Sequence, residues 1–168
     1  MTTTIEPQQA ASTTTRFLAL DLTRKCQAKC AHGYNQSGPS GTHGDIARED
    51  WLNVLGHASR MGVTRVQFIG GEVTLHPDLA DLINYALELG TGVEVFSNLI
   101  DVRDVLWPVL RQRGVSLATS YYSDRADEHE KITQHRGAYL KTKANIEKSI
   151  TSYQSPPTTR RTGRRPGA

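Results

Sequence analysis

Two cysteines, Cys26 and Cys30, lie close together in a segment rich in glycine and polar residues. Thiolates are soft ligands that suit zinc and iron–sulfur clusters, and these are the chain's only cysteines, so it carries no disulfide framework. Further along, Gly70 and Gly71 precede Glu72, and glycine lets a ligand approach the backbone closely. These residues predict a binding site made of soft thiols, bare backbone and a carboxylate.

Simpler interpretations of the same residues stay open. The cysteines are also compatible with two ordinary loop thiols, and a Gly-Gly-Glu run is typical of a turn. A zinc site made of Cys26, Cys30, His32 and His43 has suitable ligand types, although the spacing fits no common zinc finger. The residues alone leave a metal site, a cofactor site and a plain turn as alternatives.

Strand and helix patterns alternate along residues 16–150. Short apolar runs predict strands, and apolar residues at helical spacing predict helices. The predicted strands are 17–20, 63–69, 93–96 and 115–119, and the predicted helices are 51–62, 77–89, 101–113 and 138–150, the third kinked by Pro108. This alternation predicts an α/β fold, a parallel sheet of four βα units with right-handed crossovers.

The carboxyl ends of parallel strands meet at one edge of a sheet, where functional residues gather. The candidate residues follow the four predicted strands in turn. They are Cys26 and Cys30 after the first, Gly70, Gly71 and Glu72 after the second, Ser97 and Asn98 after the third, and Ser120 after the fourth. We expect them to surround one cavity.

Charge and hydropathy exclude several classes of function. The chain of 168 residues has a net charge of +3, but four arginines lie in its last nine residues and all 17 acids lie before residue 151. The basic balance is therefore confined to one end, which argues against a nucleic-acid-binding face. No apolar run is long enough for a membrane span and no secretory signal is visible, so a cytoplasmic protein without a membrane partner is predicted.

Composition divides the chain into three parts. Residues 1–15 are polar and are predicted to be a disordered lead-in, and residues 16–150 are predicted to be the folded domain. Residues 151–168, rich in proline, threonine, glycine and arginine, are predicted to be a disordered tail. His129 and His135 lie in an acid-rich stretch of the domain and are predicted to be solvated.

The segments LTRKCQAKCAHGYNQSGP and FIGGEVTLHPDL resemble the radical S-adenosylmethionine superfamily, particularly its members that modify ribosomally made peptides and other macromolecules. The resemblance covers about residues 16–150 and implies the first four units of a partial (β/α)6 TIM-like barrel. It implies a [4Fe-4S] cluster and S-adenosylmethionine as cofactors, formation of a 5′-deoxyadenosyl radical, and a peptide or protein substrate.

The resemblance also implies roles for single residues. Cys26 and Cys30 match the first two of three cluster cysteines, while Gly33 stands where the third is expected, and the phenol of the adjacent Tyr34 is a poor substitute. The remaining matches concern S-adenosylmethionine. Gly70, Gly71 and Glu72 match the segment that holds its methionyl amino group, Ser97 and Asn98 match a polar segment near it, and Ser120 stands where its ribose commonly lies.

Departures from the family pattern predict an impaired protein. Gly33 leaves the ligand set of the cluster incomplete, and four βα units call for a partner that completes the barrel. The alternative is a catalytically inactive, truncated remnant, produced by a frameshift near residue 151, or a binding module without enzymatic activity.

Overall fold

The structure is a computed structural model that describes residues 16–33 and 35–153. The predicted lead-in 1–15, Tyr34 and residues 154–168 of the predicted tail lie outside the described residues. The last described helix runs to Tyr153, three residues beyond its predicted end.

The described chain alternates strands with helices as the sequence predicts. Its strands are β1 (Phe17–Thr23), β2 (Arg65–Gly70), β3 (Gly92–Phe96) and β4 (Val115–Ala118), and its helices are α1 (Arg48–Arg60), α2 (Leu79–Glu88), α3 (Trp107–Leu110), α4 (Ala126–Thr133) and α5 (Ala138–Tyr153). Short 3-10 turns occupy Val73–Leu75 and Asp104–Leu106. The four strands pair in parallel in the order β1-β2-β3-β4, which confirms the predicted α/β class.

One face of this sheet carries the hydrophobic core. Val66, Phe68, Val93 and Val95 are buried on that face against α1, α2 and α3. Side chains alternate between the two faces of a strand, and on the second face Gln67 donates a hydrogen bond to Glu94 across β2 and β3. This second face is polar at Gln67 and Glu94, carries the apolar Ile69 and Phe96 nearer the carboxyl edge, and is partly exposed.

Three helical features differ from the prediction. The predicted helix 101–113 is reduced to a 3-10 turn and the short α3, and Pro108 lies in the first turn of α3 instead of kinking a longer helix. Proline is favourable there because the first turn leaves its N–H positions unpaired in any case. Helix α4 was not predicted, and its His129 is buried, with 1% of its surface exposed, so the prediction that it is solvated was wrong. His135 is half-buried.

No described helix is long and apolar enough to cross a membrane.

Candidate functional site

A cavity of about 250 Å³ opens at the carboxyl edge of the sheet. It is lined by residues from the loops that follow all four strands. The predicted site residues among them are Cys26, Cys30, Gly70, Gly71, Asn98 and Ser120. His32, Gly33, Phe96 and Tyr122 contribute further to the wall, and none of the described residues that line it is a lysine, arginine, aspartate or glutamate. The structure therefore brings the candidate residues together at the edge where the topology predicts them.

The cysteine loop is held in place by backbone hydrogen bonds. The N–H of Cys26 donates to the carbonyl of Gly38 at 3.1 Å, which closes the loop on itself. On either side of Cys30, the N–H groups of Lys29 and Ala31 donate to the carbonyls of Thr133 and Ile132 at 3.1 and 2.9 Å. These carbonyls lie at the end of α4, so the helix missed by the sequence analysis fixes the second cysteine.

Burial makes both thiols weak acids. Cys26 is 5% exposed, and this burial raises its pKa to about 11, with smaller contributions from the charges of Glu72 and Cys30. The N–H of Ala28 and the side-chain amide of Asn98 donate to its sulfur at 3.4 and 3.5 Å and act in the opposite direction. Burial also raises the pKa of Cys30, against a hydrogen bond with Tyr122. A soft metal must therefore displace a proton from each thiol when it binds.

Gly70 and Gly71 press directly against the start of the cysteine loop. The N–H of Gly71 donates to the carbonyl of Thr23 at 2.6 Å. A Cβ on Gly71 would lie 2.6 Å from the carbonyl oxygen of Lys25, and Gly70 has a φ of 144°, a conformation that only glycine adopts without strain. Glycine is required at both positions by packing against Thr23 to Lys25, independently of any ligand.

Glu72 lies under the cavity instead of on its wall. Its carboxylate is fully buried, and Oε1 accepts hydrogen bonds from the N–H and the hydroxyl of Thr74 and from the hydroxyl of Ser97. Oε2 accepts from the N–H of Asn98 at 2.8 Å. Burial raises the pKa of this carboxyl, and the four donors oppose that shift. Glu72 and the buried Ser97 thus tie the loop after β2 to the loop after β3, and place Asn98 beside Cys26.

Aromatic residues form the side of the site next to α4. The ring of Tyr122 lies 5.6 Å from that of His32 and 5.7 Å from that of His129. His129 also contacts Tyr121 and Tyr139, at 5.4 and 6.0 Å between ring centroids. Sequence analysis missed this cluster. The sequence pattern that indicates it is the spacing of four positions between His129 and Thr133, which are the two buried residues of α4.

The described residues do not assemble a complete metal site. No group of three or more histidine, cysteine, aspartate or glutamate side chains among them is arranged to hold a metal ion. His43 forms a hydrogen bond of 2.9 Å with the hydroxyl of Thr23, and its ring lies 5.3 Å from that of His76. His43 is therefore not grouped with the two cysteines, and the Cys2His2 zinc site is not assembled. Gly33 offers no donor beside Cys26 and Cys30. The residues of this chain therefore do not fit a cluster that requires three cysteine thiolates.

Comparisons with known proteins place these motifs among relatives. No family model matches the chain. A PqqA peptide cyclase from Rhodopseudomonas palustris is 33% identical over 81 residues, which are 48% of this chain and 20% of that protein. The sporulation killing factor maturation protein SkfB from Bacillus subtilis is 28% identical over 130 residues, 77% of this chain and 31% of that protein. The chain spans about a fifth to a third of the length of these relatives.

Solved structures with the same fold bind S-adenosylmethionine. SuiB from Streptococcus suis bound to S-adenosylmethionine superposes with a TM-score of 0.71 at 16% identity, over 82% of this chain and 30% of SuiB. The protein anSMEcpe with bound AdoMet gives a TM-score of 0.62 at 14% identity, over 81% of this chain and 40% of its own. The chain is thus similar in sequence to PqqA peptide cyclase and SkfB and similar in fold to SuiB, which agrees with the resemblance of its motifs to the peptide-modifying members of the radical S-adenosylmethionine superfamily.

Proposed function

We propose that the cavity at the carboxyl edge of the sheet binds S-adenosylmethionine, in a radical-SAM-like domain for peptide or protein modification whose own cluster binding is impaired at Gly33. The observation that carries this proposal is the convergence of the cysteine pair, Gly70, Gly71, Asn98 and Ser120 on one cavity. This order of loops is the one that the family resemblance implies.

The lining suits the chemical groups of S-adenosylmethionine. Backbone at Gly70 and Gly71 is accessible to the amino and carboxylate groups of the methionyl end, and the hydroxyl of Ser120 is available to a ribose oxygen. The rings of Phe96 and Tyr122 offer apolar faces to a purine and to the positive sulfonium. When bound, this cofactor supplies a sulfonium whose reductive cleavage yields a carbon radical.

In this proposal Glu72 is a positioning residue. It is fully buried and its two oxygens already accept four hydrogen bonds, so it acts through the loops that it joins. Its contact with the N–H of Asn98 holds the side-chain amide of Asn98 against Cys26. The carboxylate thereby fixes the relative positions of the first cysteine and the glycine backbone.

A peptide or protein substrate is part of the same proposal. Its support comes from the PqqA peptide cyclases and from the structure of SuiB bound to its precursor peptide SuiA. The polar face of the sheet, opposite the core, leads from Arg65 and Gln67 toward Phe96 at the cavity and is open to such a chain. A partner that pairs with the outer edge of β4 and completes the barrel, and a cytoplasmic location, also remain proposals.

Equilibrium dialysis with labelled S-adenosylmethionine tests the cavity. We expect saturable binding to the full chain, and Ser120→Ala should weaken it about 2- to 13-fold, the effect of one lost hydrogen bond of about 0.5–1.5 kcal/mol. Ser116→Ala, which removes a hydroxyl from β4 outside the cavity lining, is the matched control and should bind as the unmodified chain does. Absence of saturable binding by folded protein would reject the proposed function.

A second candidate function is a binding module without radical chemistry, which Gly33 favours because it removes a thiolate. Anaerobic incubation with iron, sulfide, S-adenosylmethionine and a reductant, without small thiols, tests whether the chain retains any radical chemistry. Impairment predicts no 5′-deoxyadenosine above the level of a Cys26→Ala control. Substantial deoxyadenosine that depends on Cys26 would show that two cysteine thiolates are sufficient to bind an active cluster, and the proposed impairment would be wrong.

A further inference from the structure

The loop that follows β3 contains a strained residue next to the cavity. Leu99 has a φ of 55°, in the left-handed region, although it is not a glycine, and only 2% of its surface is exposed. This conformation is unfavourable for a residue with a bulky side chain and persists only where the surrounding structure imposes it. The neighbouring Asn98 lines the cavity, so the strain lies beside the proposed binding site.

Helix α5 holds this loop through two side chains. The hydroxyl of Thr142 donates to the carbonyl of Asn98 at 2.9 Å, and the side-chain amide of Asn145 donates to the carbonyl of Leu99 at 2.8 Å. Thr142 and Asn145 are three positions apart and therefore share one face of the helix. Two consecutive carbonyls of the loop are thus fixed by a helix none of whose described residues lines the cavity.

The side chain of Asn98 has one donor to spare. Its Oδ1 accepts from the N–H of Ile100 at 2.9 Å and from the side-chain amide of Gln27 at 3.1 Å, which fixes the orientation of the amide. Its NH₂ group donates to the sulfur of Cys26 at 3.5 Å. An amide nitrogen carries two N–H donors, and the second has no partner among the described residues. This N–H is therefore available to an acceptor atom of a molecule in the cavity.

We propose that Thr142 and Asn145 are positioning residues for ligand binding, which hold the strained loop so that Asn98 donates its remaining N–H to the molecule in the cavity. The inference rests on the proposed function, because S-adenosylmethionine is the molecule expected there. The carboxylate, the ribose and the purine of S-adenosylmethionine all carry acceptor atoms for such a hydrogen bond. Thr142 and Asn145 act through Asn98 and do not contact the ligand themselves.

The loop is held from two sides, and the α5 side opposes its relaxation. On the other side, Glu72 accepts from the N–H of Asn98 at 2.8 Å, and the hydroxyl of Ser97 accepts from the N–H of Leu99 at 3.0 Å. The two α5 side chains hold the carbonyls of the same two residues. Loss of either α5 donor allows Leu99 to relax out of the left-handed region. That relaxation rotates the adjacent peptide planes and moves the amide of Asn98 away from its place in the cavity.

Equilibrium dialysis of the full chain and its variants against labelled S-adenosylmethionine tests the proposal. Thr142→Val keeps the shape of the side chain without its hydroxyl and should weaken binding about 2- to 13-fold, the range for one lost hydrogen bond. Asn145→Leu removes the second donor and should act alike, so the test does not depend on the folding of one variant. Thr142→Ser keeps the hydroxyl and should bind within about 2-fold of the unmodified chain. So should Thr151→Val, the matched control, whose hydroxyl bonds to the carbonyl of Glu147 within α5.

A double-mutant cycle separates positioning from a general loss of stability. Asn98→Ala removes the amide itself and should also weaken binding about 2- to 13-fold. In that background, Thr142→Val should change the dissociation constant by less than about 2-fold, because the amide that it positions is gone. Losses that multiply in the double variant, or unchanged binding by Asn98→Ala, would overturn the proposal. Binding by both Thr142→Val and Asn145→Leu that equals that of the unmodified chain would also overturn it.

The place of the Asn98 amide is measured without ligand in NMR spectra of the ¹⁵N-labelled chain, where Asn98→Ala identifies its NH₂ signals. We expect these signals to shift in Thr142→Val and Asn145→Leu but not in Thr142→Ser or Thr151→Val. Saturable binding of S-adenosylmethionine with unshifted signals rejects the positioning role alone. Shifted signals without any binding by the unmodified chain support the placement of Asn98 by α5 and reject the proposed function.

Discussion

The buried carboxylate of Glu72 gives the sharpest test of how the site is held together. In the unmodified chain the N–H of Asn98 donates to Oε2 of Glu72 at 2.8 Å. In Glu72→Gln, the amide oxygen can still accept from Thr74 and Ser97, but the NH₂ group then faces the N–H of Asn98. The opposite orientation of the amide is worse, because it turns the NH₂ group toward the N–H of Thr74. Both orientations leave buried donors unpaired.

The expected loss of stability follows from those unpaired groups. The N–H of Asn98 and one amide N–H lose their partners, at about 1–3 kcal/mol each. Relief from burying a charged carboxylate offsets part of this cost, since burial raises the pKa of Glu72. We expect a net decrease of about 2–4 kcal/mol in the free energy of unfolding, which lowers the urea midpoint by about 1–2 M for an m-value of about 2 kcal/mol/M.

Urea unfolding at neutral pH, followed by far-ultraviolet circular dichroism, measures this change. Glu94→Gln is the matched control, because Glu94 lies on the polar face of the sheet, accepts from Gln67, and keeps an acceptor as glutamine. Its free energy of unfolding should change by less than about 0.5 kcal/mol. A Glu72→Gln protein as stable as the unmodified chain, or more stable, would show that relief of the buried charge outweighs the four hydrogen bonds and would refute the reasoning.

Three further outcomes follow from burial and close contact. Gly71→Ala should destabilise the fold by at least about 1–3 kcal/mol in urea unfolding, because its Cβ meets backbone at 2.6 Å, whereas Gly38→Ala, with no atom within 4 Å, should not. Burial, with a smaller contribution from a neighbouring histidine, lowers the pKa of His76 below 6.5. The unfolded chain therefore binds a proton at His76 at a higher pH than the folded chain does, so the free energy of unfolding decreases as the pH falls below about 6.5. In His76→Gln, the free energy of unfolding measured from about pH 7 to 5 should decrease less steeply. Iodoacetamide at about pH 8 should modify Cys30 before Cys26, whose pKa is about 11, in peptide mass mapping; faster modification of Cys26 would contradict its burial.

The arrangement of strands and the position of the site were predictable from sequence. Apolar runs separated by helical patterns specify a parallel sheet, and parallel strands bring their following loops to one edge. Cys26, Gly70, Asn98 and Ser120 accordingly line one cavity. The structural reason for Gly71 was not predictable, because it depends on contact with Lys25, far away in sequence.

The sequences of β2 and β3 contain a pattern, not used in the sequence analysis, that indicates that one face of the sheet is uncovered. In β2, Arg65 and Gln67 alternate with Val66 and Phe68, while Glu94 separates the two buried valines of β3. Strands buried on both faces are apolar almost throughout, whereas alternation indicates one covered face. This pattern distinguishes a sheet open toward a cavity from one covered by helices on both sides.

Helix α4 escaped prediction because its buried side is not apolar in composition. Its buried residues are His129 and Thr133, and the packing partners of His129 are aromatic rings from other segments, such as Tyr122 and Tyr139. Hydrophobic periodicity detects a helix only when its own residues are apolar. Tertiary contacts, which no local pattern contains, decide that this acid-rich stretch is helical.

The contacts of α4 bear directly on what the loss of a ligand at Gly33 means. In small metal sites the metal usually contributes the energy that orders its loop, so that removal of a ligand also unfolds the loop. Here the loop has its own supports, since Cys26 bonds to Gly38 and the neighbours of Cys30 bond to the end of α4. Replacement of a cysteine by glycine then removes a ligand but not the geometry of the other two. The two thiols are therefore held in position by folding alone, because the entropic cost of ordering their loop is met by these hydrogen bonds and not by a metal.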